Sequence, residues 1–514
     1  MVRHPRDLIP LLERVQTKED LYGLLGIGDL GPPQRAKPTN TVTWVQGTFA
    51  MTVGIGNQTV DTGSGITGKI LILWGTSQTG QGFAANQVGF FGVATSSTSR
   101  GVIAWCADDN LATTDVAKGT DNGFCLRVIS DATTPTVDSE ADFVDFSTGG
   151  AGRFTINITN APAAADIVHY IMICDTDITN AIVLQKSQST SLGSFATTGA
   201  GFKPDFGLFF GTDQTANGNS TGYGCFIGAS DAHFDQGSCT WTDTDASTMT
   251  THPEHYSNIT SCIALEAPVA INSVANLTSF DTDGYTLNWS DAAASAWLYY
   301  ALLVKGGSWS VDSFLAPATA IDQSVTTNFT PKGVFFFGTG TTTAAATEAA
   351  ESHICMGAMG QSPIEELAAW WSSDDTINSD SNRNNSITKC ILKCTNPSTV
   401  TLDADAKTLD TSGWTITWTT TVNTARFFAV AVGNTLNIAG VTKDTNGSVL
   451  ATCDTYCFKE SAVGTIVFNS YVASDGSGNY THKVNDNTAL YFVVAFKSGS
   501  PNRMDVTDRV LAGA

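Results

Sequence analysis

GKILILWGT (Gly68–Thr76), PDFGLFFGT (Pro204–Thr212) and PKGVFFFGT (Pro331–Thr339) are one strand written three times, each an apolar run ending in Gly-Thr. Around each, four more landmarks follow in the same order. A glycine stands thirteen residues before a tryptophan: Gly92/Trp105, Gly228/Trp241 and Gly357/Trp370. A cysteine in an apolar run comes 20 or 21 residues later: Cys125, Cys262 and Cys390. Then comes an alternating strand after a glycine turn: GRFTINITN (Gly152), GYTLNWSDA (Gly284) and GWTITWTTT (Gly413). An aromatic-led run closes each set: HYIMIC (His169), LYYALLV (Leu298) and FFAVAV (Phe427). Five landmarks at near-constant spacing establish an internal triplication with a period near 130 residues. NYTHKV (Asn479–Val484) and LYFVVAF (Leu490–Phe496) repeat the last two landmarks, a half-copy at the C-terminus.

Within a copy the period is two. Thr286-Leu287-Asn288-Trp289 and Thr415-Ile416-Thr417-Trp418 alternate as half-buried strands do, between Gly, Asn and Asp turn clusters. VFFFG and LYYALLV have no polar face, so they read as strands buried on both sides. Ser362–Trp371 (SPIEELAAWW) is the one stretch inside a copy with the pattern of a short helix. Six to nine short strands per copy point to an all-β fold of three tandem, jelly-roll-like β-sandwiches. The expected organisation is 1–37 helical anchor and linker, 38–190, 191–318 and 319–447 sandwiches, and 448–514 partial repeat. The repeated tryptophans and cysteines are expected in the cores, the thiols reduced and unpaired.

The N-terminus is a different object. Leu8, Leu11, Leu12 and Val15 form one helical stripe. Thr17-Lys-Glu-Asp20 reads as a capping-box-like start for a second helix carrying Leu21, Leu24 and Leu25. Gly26, Gly28 and Gly31-Pro-Pro33 end it, and Gly31–Thr39 is a linker. A hairpin this small has too little area to fold alone, so these seven side chains are the expected partner-docking surface. They are expected to dock on another protein or on sister chains in a homo-oligomer, the alternative being that they fold back on the first sandwich.

Composition narrows the function. The chain has 514 residues, 42% hydrophobic, only 14% charged, and a net charge of −22. Such a charge repels phosphate backbones and anionic lipid, which argues against nucleic-acid and membrane partners. The apolar runs are far short of the ~20 residues of a membrane helix, and MVRHPRDLIPLLERVQ does not read as a secretory signal. No Gly-x-Ser-x-Gly elbow or phosphate loop is present; Gly338-Thr-Gly340 lacks the following Gly-Lys. His252-Pro-Glu-His255 resembles a metal pair, but no third ligand is near it in sequence, and Pro253 suggests a loop. Asp281/Asp283, Asp243/Asp245 and Asp374/Asp375 read as turn acids, since none continues as a calcium loop. The expectation is therefore no catalytic residue, no metal and no cofactor. Trp309, Trp371 and Tyr256 are the candidates for stacking on a glycan.

The phrase Phe-Lys/Thr-Pro followed by Phe-Phe-Gly-Thr (Phe202-Lys-Pro204 to Thr212; Phe329-Thr-Pro331 to Thr339) resembles repeats in virion structural proteins of tailed bacteriophages. The Ser/Thr/Asn/Gly-rich body behind a short helical anchor is similar too. The resemblance covers about Thr41–Gly447, and the first copy departs from it at Gly68-Lys-Ile. It implies a non-enzymatic fibre, spike or surface appendage, localised in the virion, with other virion proteins (capsid, neck or tail) as partners. The alternative is an adhesin that binds host surface polysaccharide.

Overall fold

The computed structural model describes residues 37–38, 41–131, 134–247, 254–267, 270–327, 329–342, 347–349, 351–361, 366–375, 378–395, 399–421, 424–442, 448–460, 466–484, 490–497 and 503–505. The N-terminal stripe (Leu8, Leu11, Leu12, Val15, Leu21, Leu24, Leu25) lies outside them. Among the described residues every regular element is a β-strand. The fold is all-β and built from sandwich repeats.

Each copy contributes eleven strands among the described residues. The first copy runs from Thr43–Ala50 to Ile167–Cys174, the second from Asn180–Ser187 to Leu298–Lys305, and the third from Ser308–Leu315 to Arg426–Gly433. The series thus restarts about eleven residues before the sequence divisions at 191 and 319. Eleven strands exceed the six to nine expected because several are short and polar. GNQTVD (Gly56–Asp61) and GNST (Gly218–Thr221) carry no apolar period to read.

In every copy the second, tenth, ninth and eighth strands form a four-stranded antiparallel sheet. The seventh, sixth, fifth, third, eleventh and first form the opposing sheet, in that order. Its seventh member is borrowed. Gly218–Thr221 of copy two pairs with Val116–Asp121 of copy one. Thr347–Ala349 of copy three pairs with Glu254–Asn258 of copy two. Gly82–Ala85 of copy one pairs with Ser379–Ser386 of copy three. The fourth strand of each copy completes its neighbour, and the cycle closes, so the copies form a ring and not a rod.

Ring closure explains the apolar runs. The third strand of copy one sends Leu71 and Leu73 into its own sandwich core, and Ile70, Ile72 and Trp74 into a second core. That second core also takes Phe206, Leu208 and Phe210 from copy two and Phe335 and Phe337 from copy three. A period-two strand with both faces buried has no polar side to show. SPIEELAAWW obeys the same rule: Glu366–Asp375 is a strand, with Leu367, Ala369 and Trp371 in the shared core. Its apolar residues suit a helix as well as a strand buried on both faces, and ring packing decides.

Among the described residues, 37–38, 41, 329–330 and those from 434 onward form a second unit. Here Lys37–Pro38, Leu436–Val441 and Asn479–Val484 make a three-stranded sheet. Asp454–Glu460, Ile466–Ala473, Leu490–Lys497 and Arg503–Asp505 make a four-stranded one. The two echoed segments, NYTHKV and LYFVVAF, fall in different sheets, as their counterparts do in each full copy.

Candidate functional site

The ring's centre is assembled from equivalent residues of the three copies, some alike and some of unlike chemistry. Strand registers equate Gly92, Gly228 and Gly357, opposite Val102, Ser238 and Ala368. Counting outward, Trp105 and Trp241 correspond to Trp371, and not to Trp370 as the constant thirteen-residue spacing suggests. The hairpin of copy three holds one more residue. In a strand that slip turns Trp370 away and brings Trp371 to the centre. There Trp105 sits edge-to-face with Trp241 at 5.0 Å and with Trp371 at 5.2 Å. Beside them lie Phe91, Ile227 and Met356, again equivalent and all buried. A polar set, also equivalent, belongs to the same strands. The Tyr223 hydroxyl lies 2.6 Å from Gln87 Oε1 and 3.1 Å from Ser352 Oγ, joining all three copies.

Neighbouring copies interlock by complementary volumes. A stacked pair recurs in each: Trp74/His169, Phe210/Tyr300 and Phe337/Phe428. Tyr300 covers Gly101 of copy one and Phe428 covers Gly237 of copy two, where a Cβ would stand 2.3 and 2.2 Å from the rings. At the third junction the glycine's place is taken by Leu367, and the ring is the smaller His169. Burial drives the His169 pKa down to about 3, so it is a neutral packing group.

The candidate glycan residues belong to this packing. Trp309 stacks on Phe206 at 4.1 Å, Trp371 donates its indole N–H to Val88 O at 2.7 Å, and Tyr256 is 3% exposed. None offers a free ring face, so none stacks on a sugar in this structure. Trp371 faces away from its neighbour Trp370, and the face it takes is the shared core and not solvent. Among the described residues the exposed aromatics are Phe195 and Phe234 instead.

The three junctions differ most at one position of the seventh strand. In copy one it is Lys118, whose Nζ lies 2.7 Å from Asp213 of copy two, both largely buried. In copy three it is Arg383, which donates to Asn86 O of copy one at 2.7 Å. In copy two it is His255, in the strand Glu254–Asn258 and not in a loop; its partner in the sequence pair, His252, lies outside the described residues. His255 Nδ1 is 2.6 Å from Glu351 O of copy three, and its ring stacks on His353 at 5.1 Å. His353 Nε2 is 2.7 Å from Asp374 Oδ1, and its Nδ1 is 3.6 Å from Glu351 Oε2. Burial raises the Asp374 pKa to about 7, against the opposing pull of His255 and Lys393. The sequence hid this cluster, because His255 and His353 are 98 residues apart and meet only through ring closure.

The turn acids act as hydrogen-bond acceptors. Asp281 accepts from Ser279 and Thr286, Asp283 from the Gly201 N–H, Asp243 from Ser373, and Asp245 from the Val116 N–H. All eleven cysteines are buried and none is in a disulfide. Cys125, Cys262 and Cys390 occupy equivalent places. Each thiol approaches a carbonyl of the next strand (Ala141, Ala275 and Ala404), and burial pushes each pKa up, to about 12 for Cys262.

No protein-family model matches the sequence, and no curated protein matches it. Among solved structures, a pilus adhesin, SpaC from Lactobacillus rhamnosus GG in an open conformation, is remotely similar at 9% identity and a TM-score of 0.13. The comparison covers 85% of this chain and about half, 53%, of that one. A likeness of that size carries no argument about fold or function.

Proposed function

We propose that the chain is a non-enzymatic structural component of a bacteriophage virion, a fibre, spike or surface appendage that attaches through its N-terminal segment. The observation that carries this reading is the cyclic strand exchange around a filled, tryptophan-centred core. It turns one polypeptide into a self-locked pseudo-trimer, a build that suits mechanical and proteolytic endurance outside a cell. The net charge of −22 keeps neighbouring molecules apart in solution. Leu8, Leu11, Leu12, Val15, Leu21, Leu24 and Leu25 are the proposed docking surface. Burying four or five of these leucines would contribute roughly 6–15 kcal/mol before the entropic costs of association.

The test is particle composition. Particles from a culture producing the full chain should carry it at fixed stoichiometry, and deletion of residues 1–37 should leave a folded β-protein that no longer joins them. Absence of the full chain from purified particles, or turnover of a capsular polysaccharide by it, overturns the proposal. Saturable binding to a glycan array by the chain alone, with no particle association, would favour the adhesin instead.

A further inference from the structure

We infer that the junction between copies two and three is a binding site for a divalent transition metal, zinc by its donor set, with His255, His353 and Glu351 as ligands. One donor atom from each of the three lies within 4.8 Å of the others. A tetrahedral zinc with bonds of about 2.0 Å wants its donors roughly 3.3 Å apart, a contraction within reach of side-chain rotation. Two imidazoles and a carboxylate are a donor set that zinc takes with a fourth position left open.

The outer hydrogen bonds fit this reading. Metal-binding histidines typically direct their second ring nitrogen at a carboxylate or a main-chain carbonyl, which fixes ring and tautomer. His353 does the first, with Nε2 on Asp374 at 2.7 Å; His255 does the second, with Nδ1 on Glu351 O at 2.6 Å. A carbonyl oxygen only accepts, so Nδ1 of His255 carries the proton and Nε2 is the nitrogen it can offer. The Glu351 carboxylate is 3.6 Å from His353 Nδ1, the nitrogen that histidine can offer. Both rings are fully buried, whereas the Glu351 side chain is 45% exposed, which leaves an entry path from solvent.

The comparison with the other two junctions carries the argument further. Where copy two has His255, the others have Lys118 and Arg383, permanent cations held against the neighbouring copy. Where copy three has Glu351 and His353, copy two has Gly222 and Gly224, and copy one has Asn86 and Val88. Only this junction replaces the built-in cation with a histidine, and only this junction adds two further ligand-type residues facing it. A bound ion would place a fixed positive charge at this position and tie copy two to copy three.

The experiment uses the full chain, stripped with a chelator and titrated with Zn²⁺ by calorimetry, with Co²⁺ as a spectroscopic probe. The expected result is one ion per chain, visible absorption typical of tetrahedral cobalt, and a higher Tm with zinc than without. Glu351→Gln, on the half-exposed ligand, should keep the fold and weaken binding at least about tenfold. His255→Gln should remove the cobalt spectrum. No binding by the folded wild-type chain overturns the proposal, and so does binding that Glu351→Gln leaves unchanged in affinity and spectrum. These outcomes are independent of whether the chain joins a particle.

Discussion

The two faces of each inner sheet have evolved under different rules. On the sandwich face the copies stay alike: a Cβ on Gly92, Gly228 or Gly357 would stand 1.9, 2.2 and 2.0 Å from the carbonyl oxygen of Cys125, Cys262 and Cys390. Each copy solves that local problem separately, so the same residues recur. On the central face the corresponding residues are Gln87/Tyr223/Ser352 and Phe91/Ile227/Met356. There three unlike side chains meet one another, and fusion into one chain frees each to specialise. The glycine–cysteine contact therefore recurs in every sandwich, while the face where copies meet combines the repeated Trp105, Trp241 and Trp371 with positions free to diverge.

The largest effect should come from breaking the repeated face. Gly92→Ala drives a methyl into main chain that cannot retreat, and should cost about 5 kcal/mol or more, read as a collapse of the denaturant midpoint. A variant that unfolds like wild type would refute the account of the repeated glycine. Next, Gly101→Leu should cost several kcal/mol by clashing with Tyr300. Adding Tyr300→His copies the Leu367/His169 combination and should recover part of the loss, with a coupling of about 0.5–3 kcal/mol. Strict additivity in that cycle would mean the junctions are not compensated pairs.

A pH test sharpens the same contrast at the junction of copies two and three. Burial, against the pull of the Ser310 hydroxyl and with repulsion from Asp231 and Asp235 of copy two, raises the Asp312 pKa to about 6. The folded state therefore holds a proton that the unfolded state releases near pH 4. Stability from this group is full below about pH 4 and is lost as pH rises through about 6. Asp312→Asn should raise stability at pH 8 by on the order of 1–3 kcal/mol, with the advantage vanishing near pH 4 in paired melts. The smallest effect is expected for Tyr223→Phe. It leaves Gln87 and Ser352 short of a partner and should cost about 1–2 kcal/mol. A neutral result would mean the three-copy hydrogen bond contributes nothing to closure.

Much of this was legible in the sequence, for reasons that residues make plain. The glycine–cysteine landmarks recur because they serve one sandwich, so spacing alone finds them. PKGVFFFGT announces a strand buried on both faces but not what covers the second face, so ring and rod read alike. Trp370 and Trp371 are adjacent, and only the register of a hairpin one residue longer decides which reaches the centre. The exchanged strands GFAA, GNST and TEA are too short to signal anything. For the same reason the meeting of His255 with His353 could not be foreseen. The aromatic candidates failed on a related point: an indole beside a turn looks exposed until the neighbouring copy is in place.

Strand exchange also sets a timetable. Ala85 pairs with Asn382, 297 residues later in the chain. At synthesis rates of about 5–20 residues per second, the first copy waits roughly 15–60 s for that partner to emerge. Until then the strand it lends, Gly82–Ala85, and part of its tryptophan face stay without their final cover. The last copy to leave the ribosome is thus the one that makes the first copy safe. Assembly of this protein is decided by the order of translation as much as by the strength of any interface.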